Sequence, residues 1–253
     1  MTDDSPIGIP SHPGVYDTIG SEYSRHRVPD ARIAAQILHA LGDARTVCNV
    51  GAGPGAYEPD DREVVAVEPS ATMCRQRSTP AIRAVAEALP FPDDSFDVAT
   101  AFLSLHHWQD PNAGLSELRR VSKKQVLLVF DMAQQTDMWL IRDYLPEVGV
   151  LDRRAPSLER VADALPGARC EVVPVPWDCT DGFLCSYWRR PRKYLDPTVR
   201  ACISGIAQLK QEVVERAIGR LRRDLDSGAW HKRYADLVGR DNMDYGYRLV
   251  VAE

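Results

Sequence analysis

The segment TVCNVGAGPG at residues 46–55 joins a short apolar run to a loop with glycine at every second position. An apolar run of this length predicts a buried β-strand. Glycine at alternate positions lets the chain turn tightly and lets a ligand approach the backbone, because no side chain stands in the way. The chain that follows such a loop offers backbone N–H groups to that ligand. The segment therefore predicts a cofactor-binding strand and loop.

Strand and helix patterns alternate on both sides of this loop. Upstream, residues 30–41 have the spacing of an amphipathic helix, which Asp30 begins and Gly42 ends. Downstream, apolar runs predict strands at residues 63–68, in the first half of 96–105 and at 125–130, and a periodic segment predicts a helix at 111–121. Alternation of this kind is typical of an α/β fold with a mostly parallel sheet.

The last third of the chain has a different composition. Residues 180–240 contain 13 Lys and Arg against 7 Asp and Glu, a net charge of +6, and they include a strongly periodic helical stretch. Residues 170–177 and 245–253 flank this basic region, and both predict strands, which we expect to pair with each other. A segment this long between two pairing strands is expected to fold as a helical cap over the ligand crevice. We expect one domain over residues 1–253, with an N-terminal lid arm at 1–29.

The composition of the 253 residues excludes several classes of protein. Apolar residues make up 44% and charged residues 26%, which excludes wholesale disorder. The net charge of −5 argues against bulk binding to nucleic acid. The apolar runs are too short for a membrane span, and residues 1–11 lack the features of a signal peptide. The six cysteines include no CxxC pair, so we expect reduced thiols, no metal site and a cytoplasmic location.

An acidic residue closes the second predicted strand. Glu68 lies 17 residues after Gly51, where an acidic side chain accepts hydrogen bonds from the ribose of a bound cofactor. Together, three spaced motifs resemble the class I S-adenosylmethionine-dependent methyltransferases, in their small-molecule branch with a single methyltransferase domain. The motifs are GAGPG at 51–55, VEPS at 67–70 and AEALPFPDDSFDVATAFLSLHHW at 86–108. The resemblance covers roughly residues 16–131.

This resemblance implies a Rossmann-like sheet with helices on both faces and antiparallel last strands, and it implies S-adenosylmethionine as the cofactor. Val85 and Asn49 depart from the family pattern, because the family often has Asp at both positions. The first change removes the usual acceptor for the adenine amino group, and the second removes a charge near the sulfonium. The cofactor contacts that the resemblance implies are Tyr23, Arg27, Gly51, Ala52, Gly53, Glu68, Pro69, Met73, Ala86, Glu87 and Phe102.

Candidate catalytic residues follow the third long apolar run. Methyl transfer is an in-line displacement that needs a base only when the acceptor must lose a proton. His106 and His107 lie just past a strand end that faces the ligand crevice, and histidine titrates near neutral pH. His107 is the favoured base and His106 the second candidate. The residues expected to contact the acceptor are Trp108, Asp131, Tyr187 and Trp188.

The leading hypothesis is a methyltransferase that acts on a small organic molecule, with a role in secondary metabolism. Gly51, Gly53 and Ala56 also fit a loose GxGxxA pattern, so an NAD(P)-dependent oxidoreductase is an alternative. Aromatic residues are interleaved with four basic residues at 187–194, so an RNA methyltransferase is a second alternative. A short basic patch on an acidic chain does not favour binding of nucleic acid. A noncatalytic cofactor-binding protein is a further alternative. The acceptor, the atom that is methylated and the oligomeric state stay open.

Overall fold

The computed structural model describes residues 26–151 and 156–253. Tyr23 and most of the predicted lid arm at 1–29 lie outside these ranges. The strands are β1 (Thr46–Val50), β2 (Glu63–Val67), β3 (Ala81–Ile82), β4 (Phe96–Phe102), β5 (Ser122–Phe130), β6 (Arg169–Val172), β7 (Val175–Pro176), β8 (Asn242–Met243) and β9 (Tyr247–Ala252).

The described residues also form helices on both sides of the sheet. The α-helices are α1 (Ala31–Leu41), α2 (Ala71–Cys74), α3 (Pro111–Val121), α4 (Met132–Gln135), α5 (Trp139–Asp143), α6 (Val148–Leu151), α7 (Leu158–Ala164), α8 (Pro197–Ala201), α9 (Ser204–Ala207), α10 (Gln211–Asp226) and α11 (Ala229–Arg233). Short 3₁₀ helices are Leu105–His107, Pro191–Leu195 and Ala235–Leu237. None of the helices in the described ranges is long and apolar enough to cross a membrane.

Seven strands form one sheet in the order β3-β2-β1-β4-β5-β9-β6. The first five are parallel, β9 is antiparallel to β5, and β6 is antiparallel to β9. In this register Cys48 lies opposite Ala99, and Leu127 lies opposite Val250. The predicted mostly parallel sheet with antiparallel last strands is confirmed. Because the strands are parallel, the loops that follow β1, β2, β4 and β5 meet at one edge.

A hydrophobic cluster covers each face of the sheet. Along β5, Leu128 belongs to one cluster and Leu127 to the other, since successive side chains of a strand point to opposite faces. Helix α1 covers the first face through Ile37, and α3 covers the second through Leu115 and Leu118. The continuous apolar run of β5 therefore gives both faces of the sheet an apolar surface that helices cover.

The basic region joins the core on the first face. Leu221 of α10 and Trp230 of α11 belong to the same cluster as Val126 of β5. The buried Trp139 side chain donates from Nε1 to the backbone carbonyl of Trp188 at 2.7 Å. A continuous apolar core thus connects the helices of the basic region to the sheet.

The predicted strand at residues 170–177 is interrupted. Its first part is β6, which pairs with β9, whereas its second part is β7, which pairs with β8 outside the main sheet. Pro174 and Pro176 lack a backbone N–H, so a single continuous ladder cannot form through this segment. The prediction of one strand here was wrong, while its pairing with the last strand is confirmed.

Candidate active site

A cleft opens at the carboxyl edge of the sheet, where β1, β2 and β4 end. It spans about 860 Å³, including its open mouth. The loops after these three strands form most of its walls, as expected for parallel strands that end at one edge. The predicted cofactor contacts that lie within the described residues all line it: Arg27, Gly51, Ala52, Gly53, Glu68, Pro69, Met73, Ala86, Glu87 and Phe102.

The loop after β1 needs glycine for two different reasons. Gly51 and Gly53 have φ angles of +68° and +52°, in a region that other residues rarely adopt. A Cβ atom on Gly51 would lie 2.6 Å from the Cβ of Ser104, so no side chain fits there. A Cβ atom on Gly53 would meet no atom within 4 Å. Packing therefore requires Gly51, whereas Gly53 leaves bare backbone beside an open space that a ligand can fill.

Glu68 is held in one orientation at the wall of the cleft. The residue is only 5% exposed. Its Oε2 accepts a hydrogen bond from the N–H of Gly53 at 2.8 Å, and its Oε1 accepts one from the N–H of Ser70 at 2.8 Å. A carboxylate oxygen can accept more than one hydrogen bond. Glu68 can therefore brace the glycine loop and still accept hydrogen bonds from the hydroxyl groups of a ligand.

A partly buried ion pair braces the glycine loop. Arg77 Nη2 lies 2.8 Å from Glu58 Oε2, and Arg77 Nη1 donates to the carbonyl of Gly53 at 3.1 Å. Asn49 Nδ2 also donates to Glu58, at 2.9 Å. An Asp at position 49 would place a second carboxylate against Glu58, so the departure from the family pattern has a physical reason. Sequence reasoning missed Glu58 and Arg77 because both lie in irregular segments without periodicity.

A second buried cluster connects the cleft to residue 181. Arg27 Nε and Nη2 donate to the two carboxylate oxygens of Asp181 at 2.5 and 3.1 Å, and the hydroxyl of Tyr57 donates to the same group at 2.9 Å. Asp181 is fully buried, while Arg27 and Tyr57 line the cleft. Burial raises the pKa of Tyr57 above its ordinary value, so its hydroxyl remains a donor. Arg27 thus has a counter-ion, from a distant part of the chain, that sequence reasoning missed.

The rings of His106 and His107 line different spaces. Their centroids are 3.8 Å apart. His107 lines the cleft, whereas His106 lines a second cavity and contacts the ring of Phe130 at 5.0 Å. Burial and the Arg27 charge lower the pKa of His107 to about 4. Burial, His107 and Arg27 lower the pKa of His106 well below its ordinary value. Both imidazoles are therefore neutral at pH 7 and can accept a proton.

The second cavity adjoins the cleft and spans about 450 Å³, including its opening. Arg27 and Leu103 line both spaces. Its other described walls are His106, Phe130, Gln135 and Tyr247 from the sheet edge, with residues 183–184 and 202–205 from the basic region. The basic region therefore covers part of the carboxyl edge beside the cleft. The described residues contain no group of three or more His, Cys, Asp or Glu side chains that could hold a metal ion.

Comparisons with known proteins agree with this geometry. Residues 48–130 match the family model of a methyltransferase domain. The crystal structure of a putative methyltransferase from an antibiotic biosynthesis pathway of Anabaena variabilis is 30% identical, with a TM-score of 0.84 over 90% of this chain and 99% of its own. The chain belongs to the class I S-adenosylmethionine-dependent methyltransferases.

Curated relatives of this methyltransferase match over shorter stretches. The uncharacterized methyltransferase YcgJ of Bacillus subtilis is 31% identical over 131 residues, which are 46% of this chain and 48% of YcgJ. The ubiquinone/menaquinone biosynthesis C-methyltransferase UbiE of Shewanella is 34% identical over 93 residues, which are 33% of this chain and 37% of UbiE. The match thus spans about half of the first relative and little more than a third of the second.

Trp108 and Asp131 are two of the residues that were predicted to contact the acceptor of the methyltransferase. Trp108 lines the cleft and packs against α3, where a Cβ on Gly114 would lie 2.4 Å from its ring. Asp131 begins α4, and its Oδ1 accepts a hydrogen bond from the N–H of Ala133 at 3.0 Å. Trp108 is thus a wall of the cleft, and Asp131 is a helix cap.

Tyr187 and Trp188, which were also predicted to contact the acceptor, lie in the hydrophobic core. Their exposed fractions are 5% and 0%. Trp188 Nε1 donates to the carbonyl of Val175 at 3.1 Å, so its polar atom is already engaged. Neither residue lines the cleft or the second cavity as described. The aromatic residues of this basic region anchor it to the sheet because they are the largest apolar groups that it contains.

Proposed function

We propose that the protein transfers the methyl group of S-adenosylmethionine, bound in the cleft, to a small organic molecule bound in the second cavity. The observation that carries this proposal is that the two spaces adjoin at Arg27 and Leu103, on the carboxyl edge of the sheet. Ligands of open α/β sheets bind at this edge. Two ligands held in adjoining spaces are positioned for direct transfer, and positioning supplies much of the rate.

The lining of the cleft fits the parts of S-adenosylmethionine. The bare backbone at Gly53 leaves room for the methionine and ribose, and Glu68 is placed to accept the ribose hydroxyls. Met73 and Ala86 are buried, apolar and suited to the adenine ring. The Arg27 guanidinium lines the cleft, and we expect it to bind the cofactor carboxylate. When bound, the cofactor supplies an electrophilic methyl group on a sulfonium whose thioether is the leaving group.

His107 is the proposed base for an acceptor that must lose a proton. It lines the cleft and is neutral at pH 7, so it can take up that proton. A group with a pKa of about 4 is a weak base, because the efficiency of proton transfer follows basicity. We therefore infer that alignment of the two ligands contributes more than proton transfer. His106, in the second cavity, is the alternative base.

The second cavity supports a small acceptor rather than a nucleic acid. Its volume of about 450 Å³ lies in the range of small-molecule sites. Two arginines of the basic stretch already have partners: Arg190 Nη2 donates to the carbonyl of Cys179 at 2.6 Å, and Arg189 Nη1 donates to that of Arg240 at 2.9 Å. The likeness to an enzyme of an antibiotic pathway supports a role in secondary metabolism. The same comparisons lend no support to a nicotinamide-dependent oxidoreductase.

Calorimetric titration and a label-transfer assay test this proposal. We expect S-adenosylmethionine and S-adenosylhomocysteine to bind at micromolar concentrations, and NAD(P) not to bind. In the second step, methyl-labelled cofactor is incubated with a panel of small aromatic and aliphatic acceptors and, in parallel, with RNA. Label in a small molecule supports the proposal, whereas label in RNA that is retained at low salt contradicts it. Cofactor binding without transfer to any acceptor would favour a noncatalytic protein.

A further inference from the structure

Gln135 is a buried polar residue that faces the second cavity. It is the last residue of α4, directly beyond the end of β5, and is only 2% exposed. Its backbone N–H donates to the carbonyl of Asp131, whereas its side chain lines the cavity. A side-chain amide on a cavity wall offers a ligand both a donor and an acceptor. A polar ligand atom in the cavity can therefore pair with it.

Aromatic rings surround the same space. The centroids of Phe183 and Tyr247 are 4.5 Å apart, and those of Phe130 and Tyr247 are 6.3 Å apart. The ring centroid of His106 lies 5.0 Å from that of Phe130. Aromatic pairs at such distances bind a further ring by stacking or by edge contacts. These walls favour a flat, apolar ligand body.

The charge at the cavity is balanced. Arg27 is the one charged side chain among its described lining residues, and Asp181 pairs with it through two hydrogen bonds. His106 is uncharged at neutral pH. An ionised ligand would therefore enter a mostly apolar space without a counter-charge of its own, which is unfavourable.

We propose that the second cavity takes an uncharged, planar aromatic molecule with a hydroxyl or carbonyl group on its ring, and that Gln135 recognises this oxygen. This proposal rests on the proposed function, because it describes the acceptor of that reaction. Gln135 is a specificity-determining residue, since its amide can donate to a carbonyl and accept from a hydroxyl. The aromatic walls bind any flat ring, and the amide selects among the rings by their oxygen.

Three matched probes test the proposal on protein saturated with S-adenosylhomocysteine, so that the cofactor cleft is filled. Naphthalene provides the ring alone, 2-naphthol adds a hydroxyl, and 2-naphthoate adds a negative charge. Equilibrium dialysis at neutral pH gives their dissociation constants. We expect 2-naphthol to bind about three- to tenfold more tightly than naphthalene, as one neutral hydrogen bond provides. We expect 2-naphthoate to bind most weakly.

Substitutions then assign the preference to one residue. Gln135→Leu should weaken the binding of 2-naphthol to the affinity of naphthalene and leave the affinity for naphthalene unchanged. Gln135→Met is a second variant of similar shape. Gln211→Leu, at an exposed position of α10, is the matched control and should change neither constant. A wild-type preference for 2-naphthoate overturns the proposal. So does a 2-naphthol preference that both Gln135 variants retain, or a wild-type protein that binds no probe.

The outcome is separable from that of the proposed function. If S-adenosylhomocysteine does not bind, the methyltransferase proposal fails even when the Gln135-dependent preference for 2-naphthol is present. If the cofactor binds and is turned over while the affinity for 2-naphthol does not depend on Gln135, only the inference about the acceptor fails.

Discussion

The cleft and the second cavity adjoin, yet different kinds of chain segment form them. Apart from Arg27, the described residues of the cleft fall within the single stretch 49–108. The second cavity gathers its described walls from residues scattered between Arg27 and Tyr247. Parallel strands bring successive loops to one edge, so a short continuous stretch is enough to form the cleft. The second cavity needs chain segments that return to that edge from far along the sequence.

A buried ion pair lies where the two regions meet. Arg27 belongs to both cavities, and its partner Asp181 comes from the basic region. Tyr57, from the loop that follows the glycine segment, donates to the same carboxylate. We therefore expect substitutions at Asp181 to affect both cavities, and substitutions within the glycine loop to affect the cleft alone.

Replacing Asp181 by Asn should have the largest effect and tests this connection. The side chains of Arg27 and Asp181 are 9% and 0% exposed, so the variant removes the negative charge that faces a buried guanidinium. Such a change costs about 3–5 kcal/mol of unfolding free energy. Denaturant melts measure it. Asp178→Asn is the control, because Asp178 pairs with Arg32 at an exposed site and should cost less than about 1 kcal/mol. Equal stability of the two variants would show that the pair does not hold the regions together.

Replacing Gly53 by Val should abolish cofactor binding without unfolding the protein. The new side chain would occupy the open space of the cleft, and we expect S-adenosylhomocysteine to bind at least about 100-fold more weakly, or about 2.7 kcal/mol. Gly167→Val is a matched control, because Gly167 has a φ angle of +79° and its Cβ would also meet no atom within 4 Å. Backbone strain is thus similar in both variants. Unchanged affinity in a folded Gly53→Val protein would remove the cleft as the cofactor site.

Replacing His107 by Ala should lower kcat by about 100-fold if the acceptor loses a proton, at the low end of general base catalysis because the base is weak. Cofactor affinity should stay nearly constant. Since the pKa of His107 is about 4, the wild-type rate should lose its His107-dependent part only as the pH falls below about 5. The defect of the variant should shrink at high pH, where solvent deprotonates the acceptor. His39→Ala, on the exposed side of α1, is the control. Full turnover in both His107→Ala and His106→Ala proteins would make the histidines structural.

Replacing Glu68 by Ala should weaken cofactor binding by roughly tenfold or more. The variant loses the hydrogen bonds to ribose hydroxyls, each worth about 1.5–3 kcal/mol when one partner is charged, and the bond that holds the N–H of Gly53. Calorimetry measures the change. Glu63→Ala, at the exposed start of β2, the strand that precedes Glu68, should leave the affinity unaltered. A loss under about twofold would place ribose recognition elsewhere.

Local patterns predicted the elements that carry the cleft. The apolar run at 46–50 is β1, and the helix from Asp30 to Gly42 has its cap residues where the pattern placed them. Hydrophobic periodicity and turn chemistry depend on neighbours in sequence, so they can be read there. The segment 170–177 was mispredicted as one strand because the prediction followed its apolar residues and neglected its prolines.

The amino-acid sequence is enough to place this chain among α/β proteins, to locate its glycine loop and to select Glu68 beside it, because these features depend on spacing along the chain. Folding decides which distant side chains become neighbours. It pairs Asp181 with Arg27, buries Tyr187 and Trp188 in the core, and brings Gln135 to the second cavity. Such contacts arise when separate apolar faces pack against one sheet, and no local pattern records which faces will meet.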